Sequence, residues 1–149
     1  MWNHQKSIRL SKLGVVLFAV LILAGAVIAP WMVRYVVSIS QLELEGKEFL
    51  FYMTLYGGCV PAFVMLYDLY RVLQRISEGK VFVGENVWGL RRISWCCLLG
   101  GGLCLLSMFY YPPFGVIAFA AVFVGMIVRV VKNVMAEAVV LKEEADFTI

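Results

Sequence analysis

The chain has a single histidine, His4, and only 15% of its 149 residues carry charge. One histidine excludes bis-histidine haem ligation and histidine-based metal catalysis within one chain. The sequence also lacks a glycine-rich phosphate loop, a nucleophile elbow and a zinc signature. Its four cysteines, Cys59, Cys96, Cys97 and Cys104, all fall inside apolar runs and none lies in a loop, so no disulfide framework is expected. Cys96 and Cys97 are adjacent, without the CxxC spacing or histidine company that redox or metal work needs, and are expected to be small packing residues. On these grounds no enzymatic activity and no cofactor are expected.

Apolar residues dominate instead, at 62% of the chain with a mean hydropathy of +0.88. A soluble fold of this length buries only part of its chain and could not hide so much apolar surface. Typical soluble domains carry about 25% charged residues, so the natural solvent here is lipid. Leu13 to Val33 is uncharged, long enough at ~1.5 Å per residue to reach across a ~30 Å hydrocarbon core. It is too long for a signal-peptide core, so it is expected to stay as a helix. Phe49 to Tyr67 is the second uncharged run, and its Gly57, Gly58 and Pro61 predict a kink or a close helix contact. Ile93 to Val128 has no charge at all, and Pro112-Pro113 divides it into two helices joined by a tight turn. The expected fold is all-α: a single four-helix membrane domain over residues 1–149, with helices at about 13–35, 49–73, 87–111 and 114–143. The last helix is expected to run on into water as a C-terminal extension.

Eleven of the thirteen basic residues lie at the N-terminus, in or beside the central loop, or near the C-terminus; the other side has only Arg34 and Lys47. Basic residues mark the cytoplasmic side. Both ends and the central loop are therefore expected in the cytoplasm of a plasma membrane, with the acidic loop of Glu43, Glu45 and Glu48 outside. Glu85 or Asn86 is a candidate cap for the third helix.

Four sets of residues stand out. Asp68 is the one carboxylate tucked against a membrane run, and an intramembrane acid is by default a functional hypothesis. Against that stands an interfacial ion pair with Arg71, three residues on along the same face, or with Arg129. Arg129 interrupts the last helix and is expected to snorkel inward, as basic side chains near helix ends do. Gly100-Gly101-Gly102 and the pair Gly25/Ala29 are expected to be close-packing faces between helices. The apolar pair Val81-Phe82 in the central loop, followed by Trp88 and Trp95, reads as an interfacial or re-entrant segment, with a docking surface as the functional alternative. Finally, Val131, Val134, Met135, Ala138 and Leu141 form one helical stripe. It must be buried against the protein's own loop, the membrane surface or another protein; packing on the central loop or another copy is the plain reading and a partner groove the functional one. Phe82, Val134, Met135 and Leu141 are the candidate partner-binding residues.

The stretch Gly79-Lys80-Val81-Phe82, with Asn86 and Leu90-Arg91-Arg92-Ile93, resembles the central loop of a bacterial family catalogued as domain of unknown function 2975. The closing Leu141-Lys142-Glu143-Glu144-Ala145-Asp146-Phe147-Thr148-Ile149 is similar to that family's ending, with Ala145 where asparagine is usual. The likeness covers nearly the whole chain. It implies a four-helix inner-membrane protein without an assigned activity, and a partnership with a small helix-turn-helix regulator often encoded beside such proteins. The leading expectation is thus a non-enzymatic membrane partner or sensor for a cytoplasmic regulator, with no direct nucleic-acid contact. The alternative is a small transporter or efflux subunit, working as a homo-oligomer, with Asp68 as its coupling residue.

Overall fold

A computed structural model of the chain describes residues 3–40 and 42–148; Ile149, the last residue of the closing motif, lies outside them. Among the described residues four α-helices follow one another: α1 (His4–Ile39), α2 (Glu48–Ser77), α3 (Gly84–Ser107) and α4 (Pro113–Phe147). All four are long and apolar enough to cross a membrane. The uncharged runs explain why: with no water in the hydrocarbon, the backbone must satisfy its own polar groups, and a helix does so within one segment. Pro30 and Pro61 are carried inside α1 and α2.

The boundaries move from those expected. Helix α1 begins at His4, nine residues before the apolar run, and α4 continues to Phe147. At 36 and 35 residues both are about 50 Å long, well beyond a ~30 Å hydrocarbon core. Their polar overhangs, His4–Lys12 and Lys132–Phe147, lie on the side of the α2–α3 loop, which we term the basic end. Helix α3 stops at Ser107, not at 111. The amides of Tyr110 and Tyr111 both turn back to the Ser107 carbonyl (3.3 and 3.1 Å), and Pro113 then starts α4 at a first-turn position, where proline's missing N–H is no loss.

At the basic end α2 closes in a Schellman motif. Gly79 adopts φ +83°, its amide donates to Ile76 O (3.1 Å), and the Lys80 amide donates to Arg75 O (2.9 Å). Only six residues separate α2 from α3, too few for a re-entrant segment around Val81-Phe82, and Arg75 to Ser77 are still helical. Neither Glu85 nor Asn86 caps α3, whose N-cap residue is Val83. Asn86 instead is fully buried, and its Nδ2 donates to the carbonyls of Lys80 (2.9 Å) and Val81 (2.8 Å). It staples the loop back onto the helix.

Helices pack in chain order: α1 on α2, α2 on α3, α3 on α4. Among the described residues no Cα–Cα approach within 8 Å joins α1 to α3 or α4, or α2 to α4. The result is an open row of helices. Small residues set the close approaches. A Cβ at Gly101 would stand 2.9 Å from Val122 Cγ2 and 3.3 Å from the Ala118 carbonyl oxygen, and one at Gly89 would stand 2.9 Å from Val72 Cγ2. Ser94 Oγ donates to Gly125 O at 3.0 Å across the same α3–α4 seam. The expectation for the glycine triplet therefore narrows to Gly101, since Gly100 and Gly102 face open space. In α1, Ala29 is buried while Gly25 meets nothing within 4 Å.

At the opposite end Val33, Leu44, Phe51 and Phe114 form a buried cluster. Phe51 packs edge-on against Tyr110, with ring centroids 5.1 Å apart, and at a tilt against Tyr111 (5.3 Å). Beneath it Thr54 Oγ1 lies 2.6 Å from both Ser107 Oγ and Tyr110 OH.

Candidate functional site

Helices α2 and α3 form an antiparallel hairpin, and positions equally far from Lys80 face each other. Asp68 stands twelve residues before Lys80 and Arg92 twelve after it. Arg92 Nε accordingly lies 3.2 Å from Asp68 Oδ2, with side-chain exposures of 53% and 7%. This corrects the expected partners: Asp68 is compensated across the hairpin, not by Arg71 on its own helix and not by Arg129. The charges meet without hydrogen-bond alignment, and Oδ2 remains buried with no hydrogen-bond donor among the described residues.

The same register brings Arg75 to Glu85, with Nε 3.0 Å from Oε2. Arg75 Nη1 also points at Glu85 O and Asn86 Oδ1, both 3.5 Å away, at the limit of a useful hydrogen bond. Between these two pairs lies an open cavity of about 520 Å³, lined by Tyr67, Asp68, Arg71, Arg75, Glu85, Trp88 and Arg92 among others. Arg71 lines it without a carboxylate within 4.0 Å among the described residues. Asp68 closes the uncharged run of α2 and Arg92 precedes that of α3, so the cavity sits at the ends of these two uncharged, membrane-length runs.

Arg129 is on the other side of α3. Its guanidinium carbon lies 5.9 Å from the centroid of the Trp95 ring, and Arg91 is similarly placed over Trp88 at 5.7 Å. Together with Lys132, Arg91 and Arg129 edge a small cavity of about 50 Å³.

The residues of the expected partner stripe divide. Met135 is half-buried against Leu90, Ile93 and Cys97 of α3, so it belongs to the core. Val134 and Leu141 are 65% and 62% exposed, seven residues apart on one face of α4. Every described residue from Leu141 to Thr148 is exposed. Phe82 is exposed at the loop. Mid-way along the row, an apolar groove of about 410 Å³ runs over α3 between α2 and α4, with Cys96, Cys97, Gly100 and Cys104 among its lining residues. All four cysteines are free thiols.

Arg92, Glu85 and the stapling role of Asn86 were not among the sites expected from sequence. The signal that could have found the first two is the hairpin symmetry: once Gly79-Lys80 is taken as the turn, Asp68 must lie opposite Arg92, and Arg75 opposite Glu85.

No solved structure matches the chain. It is similar to the "Uncharacterized membrane protein YoaS" of Bacillus subtilis (strain 168), 25% identical over an alignment 167 positions long, gaps included, that covers 99% of each chain. That relative is also a membrane protein by its name, in agreement with four helices able to span a bilayer. A family model described as "Protein of unknown function (DUF2975)" matches residues 15–149, and the chain, a multi-helix membrane protein, therefore belongs to that family.

Proposed function

We propose that this chain is a non-enzymatic membrane partner that turns its basic end, with both termini, to the cytoplasm and there holds a soluble regulator. The excess of basic residues at that end supports the orientation. The observation that carries the reading is the free end of α4. It runs beyond the start of α3, leaves Leu141 to Thr148 exposed, and presents Val134 and Leu141 bare on one face. An amphipathic helix end of this kind is what a partner groove takes up. A regulator of the helix-turn-helix class is the occupant that the family resemblance implies.

The test is truncation of the full chain after Val140, which removes the exposed residues Leu141 to Thr148 together with Ile149 and spares Met135. With a tag in the loop between α1 and α2, proteins co-purified from native membranes in mild detergent are identified by mass spectrometry. The truncated chain should insert normally and lose a stoichiometric soluble partner; retention of that partner sinks the proposal.

Transport coupled at Asp68 has less support. Arg92 compensates the carboxylate at 3.2 Å, and an open row of helices needs a second copy to enclose a path. A substrate flux or resistance phenotype abolished by Asp68→Asn would restore that reading, whereas unchanged phenotypes leave it without an anchor.

A further inference from the structure

We propose that the cavity between α2 and α3 at the basic end binds the headgroup of an anionic phospholipid, a phosphodiester bearing free hydroxyls, with its phosphate on Arg71 and Arg92 and a hydroxyl donating to Asp68.

Three observations fix the chemistry. The first is charge. Arg71, Arg75 and Arg92 face Asp68 and Glu85 in one cavity, which leaves a single positive charge. Arg75 is engaged by Glu85 at 3.0 Å, and Arg92 shares only its Nε with Asp68. The surplus therefore rests on Arg71 and on the outer nitrogens of Arg92, which have no hydrogen bonds among the described residues. Arginine forks match phosphate oxygens, and one phosphodiester monoanion balances the site.

The second observation is the orphaned acceptor. Asp68 lines the cavity, its side chain is 7% exposed, and its Oδ2 has no hydrogen-bond donor among the described residues. Leaving a buried charged acceptor unmade is costly, so the ligand that completes this site brings a donor as well as a negative charge. A glycerol-type headgroup has both. An ethanolamine headgroup brings a donor but is neutral overall, and leaves the Arg71 charge uncompensated.

Depth is the third. Two uncharged membrane runs end at the cavity, and Tyr67 and Trp88, both exposed, flank it as interfacial aromatics do. A lipid whose chains lie along α2 and α3 places its phosphate at this level, whereas a soluble phosphate ester gains nothing from the adjoining hydrocarbon.

Native mass spectrometry of the purified full chain tests the assignment, titrated separately with short-chain phosphatidylglycerol, phosphatidylethanolamine and free glycerol phosphate. One phosphatidylglycerol should bind per chain, about tenfold or more tighter than phosphatidylethanolamine, as one extra charge-assisted contact predicts. Arg71→Gln, at an exposed position that leaves the Asp68–Arg92 pair intact, should weaken that binding by about tenfold, and Arg71→Lys should recover part of it. Equal binding of the zwitterionic lipid overturns the charge argument. Glycerol phosphate binding as tightly as the lipid assigns the site to a soluble ester and overturns the lipid. Unchanged affinity in Arg71→Gln overturns the site itself.

Discussion

The two ends of the helix row are held together by different chemistry. At the far end, neutral groups do the work: Phe51, Tyr110, Tyr111 and Phe114 pack ring against ring, and three hydroxyls share protons beneath them. At the basic end the ties are ionic or run from side chain to loop backbone: Asp68 to Arg92, Arg75 to Glu85, and Asn86 to two loop carbonyls. The far end has little charge to spare in its packed cluster, while the basic end keeps a surplus guanidinium, an acceptor without a donor and an unclothed helix terminus. Such an end is incompletely satisfied by its own chain, and that is where a ligand or partner has most to contribute. The far end closes the fold; the basic end is open to association.

Removing Arg92 should break the comparison most severely. Arg92→Ala leaves a carboxylate that is 7% exposed without its counter-charge. Loss of one partner of a buried pair costs about 3–5 kcal/mol, and the half-exposed arginine puts the expected loss near the lower figure. Unfolding titrated with SDS and followed by circular dichroism measures it. Adding Asp68→Asn should recover most of the loss, because a neutral amide needs no counter-charge. If the single variant loses less than about 1 kcal/mol, the pair behaves as an ordinary surface ion pair and the basic end is not tied there.

How much of this could be read beforehand depends on whether one residue or a register carries the feature. The four spans were legible because uncharged runs of this length have few other stable forms in lipid, and the Pro112-Pro113 pair marks its own turn. The positions of Val134 and Leu141 on one stripe were legible from helical spacing alone. Asp68 was visible as an isolated acid, but its partner was not. Local spacing pointed to Arg71, and a hairpin register shifted by one turn of α3 would have offered a different neighbour. Asn86 has the composition of a cap yet acts through the Schellman turn before it, whose geometry depends on Gly79 adopting a positive φ. The length of α1 escaped its apolar run because the overhang is polar helix, which hydropathy does not register, whereas the extension of α4 was legible from its helical stripe and runs only from 143 on to Phe147. Met135 shares its stripe with Val134 but turns toward α3, and only the direction of helix packing separates the two.

The smallest expected effect lies in the hydroxyl cluster at the far end, which was invisible in the sequence because Thr54, Ser107 and Tyr110 stand alone among apolar neighbours. Five contacts compete for three hydroxyl protons: Thr54 with Leu50 O, Ser107 and Tyr110, Tyr110 with Leu50 O, and Ser107 with Leu103 O. At most three can be hydrogen bonds at one moment. Thr54→Val, nearly the same shape, removes one proton and one shared oxygen. Tyr110 still donates to Leu50 O at 3.1 Å and Ser107 to Leu103 O at 2.9 Å, so neither remaining proton is left without an acceptor. The cost should be about 1 kcal/mol or less, in line with hydrogen bonds between membrane helices. It should also be insensitive to salt, whereas the contribution of Arg92 should shrink between about 0.1 and 1 M as the screening length falls from ~10 to ~3 Å. The same unfolding titration at both salt concentrations checks this. A Thr54→Val loss that exceeds the Arg92→Ala loss, or that falls with salt, would mean that the far end and not the basic end depends on polar ties.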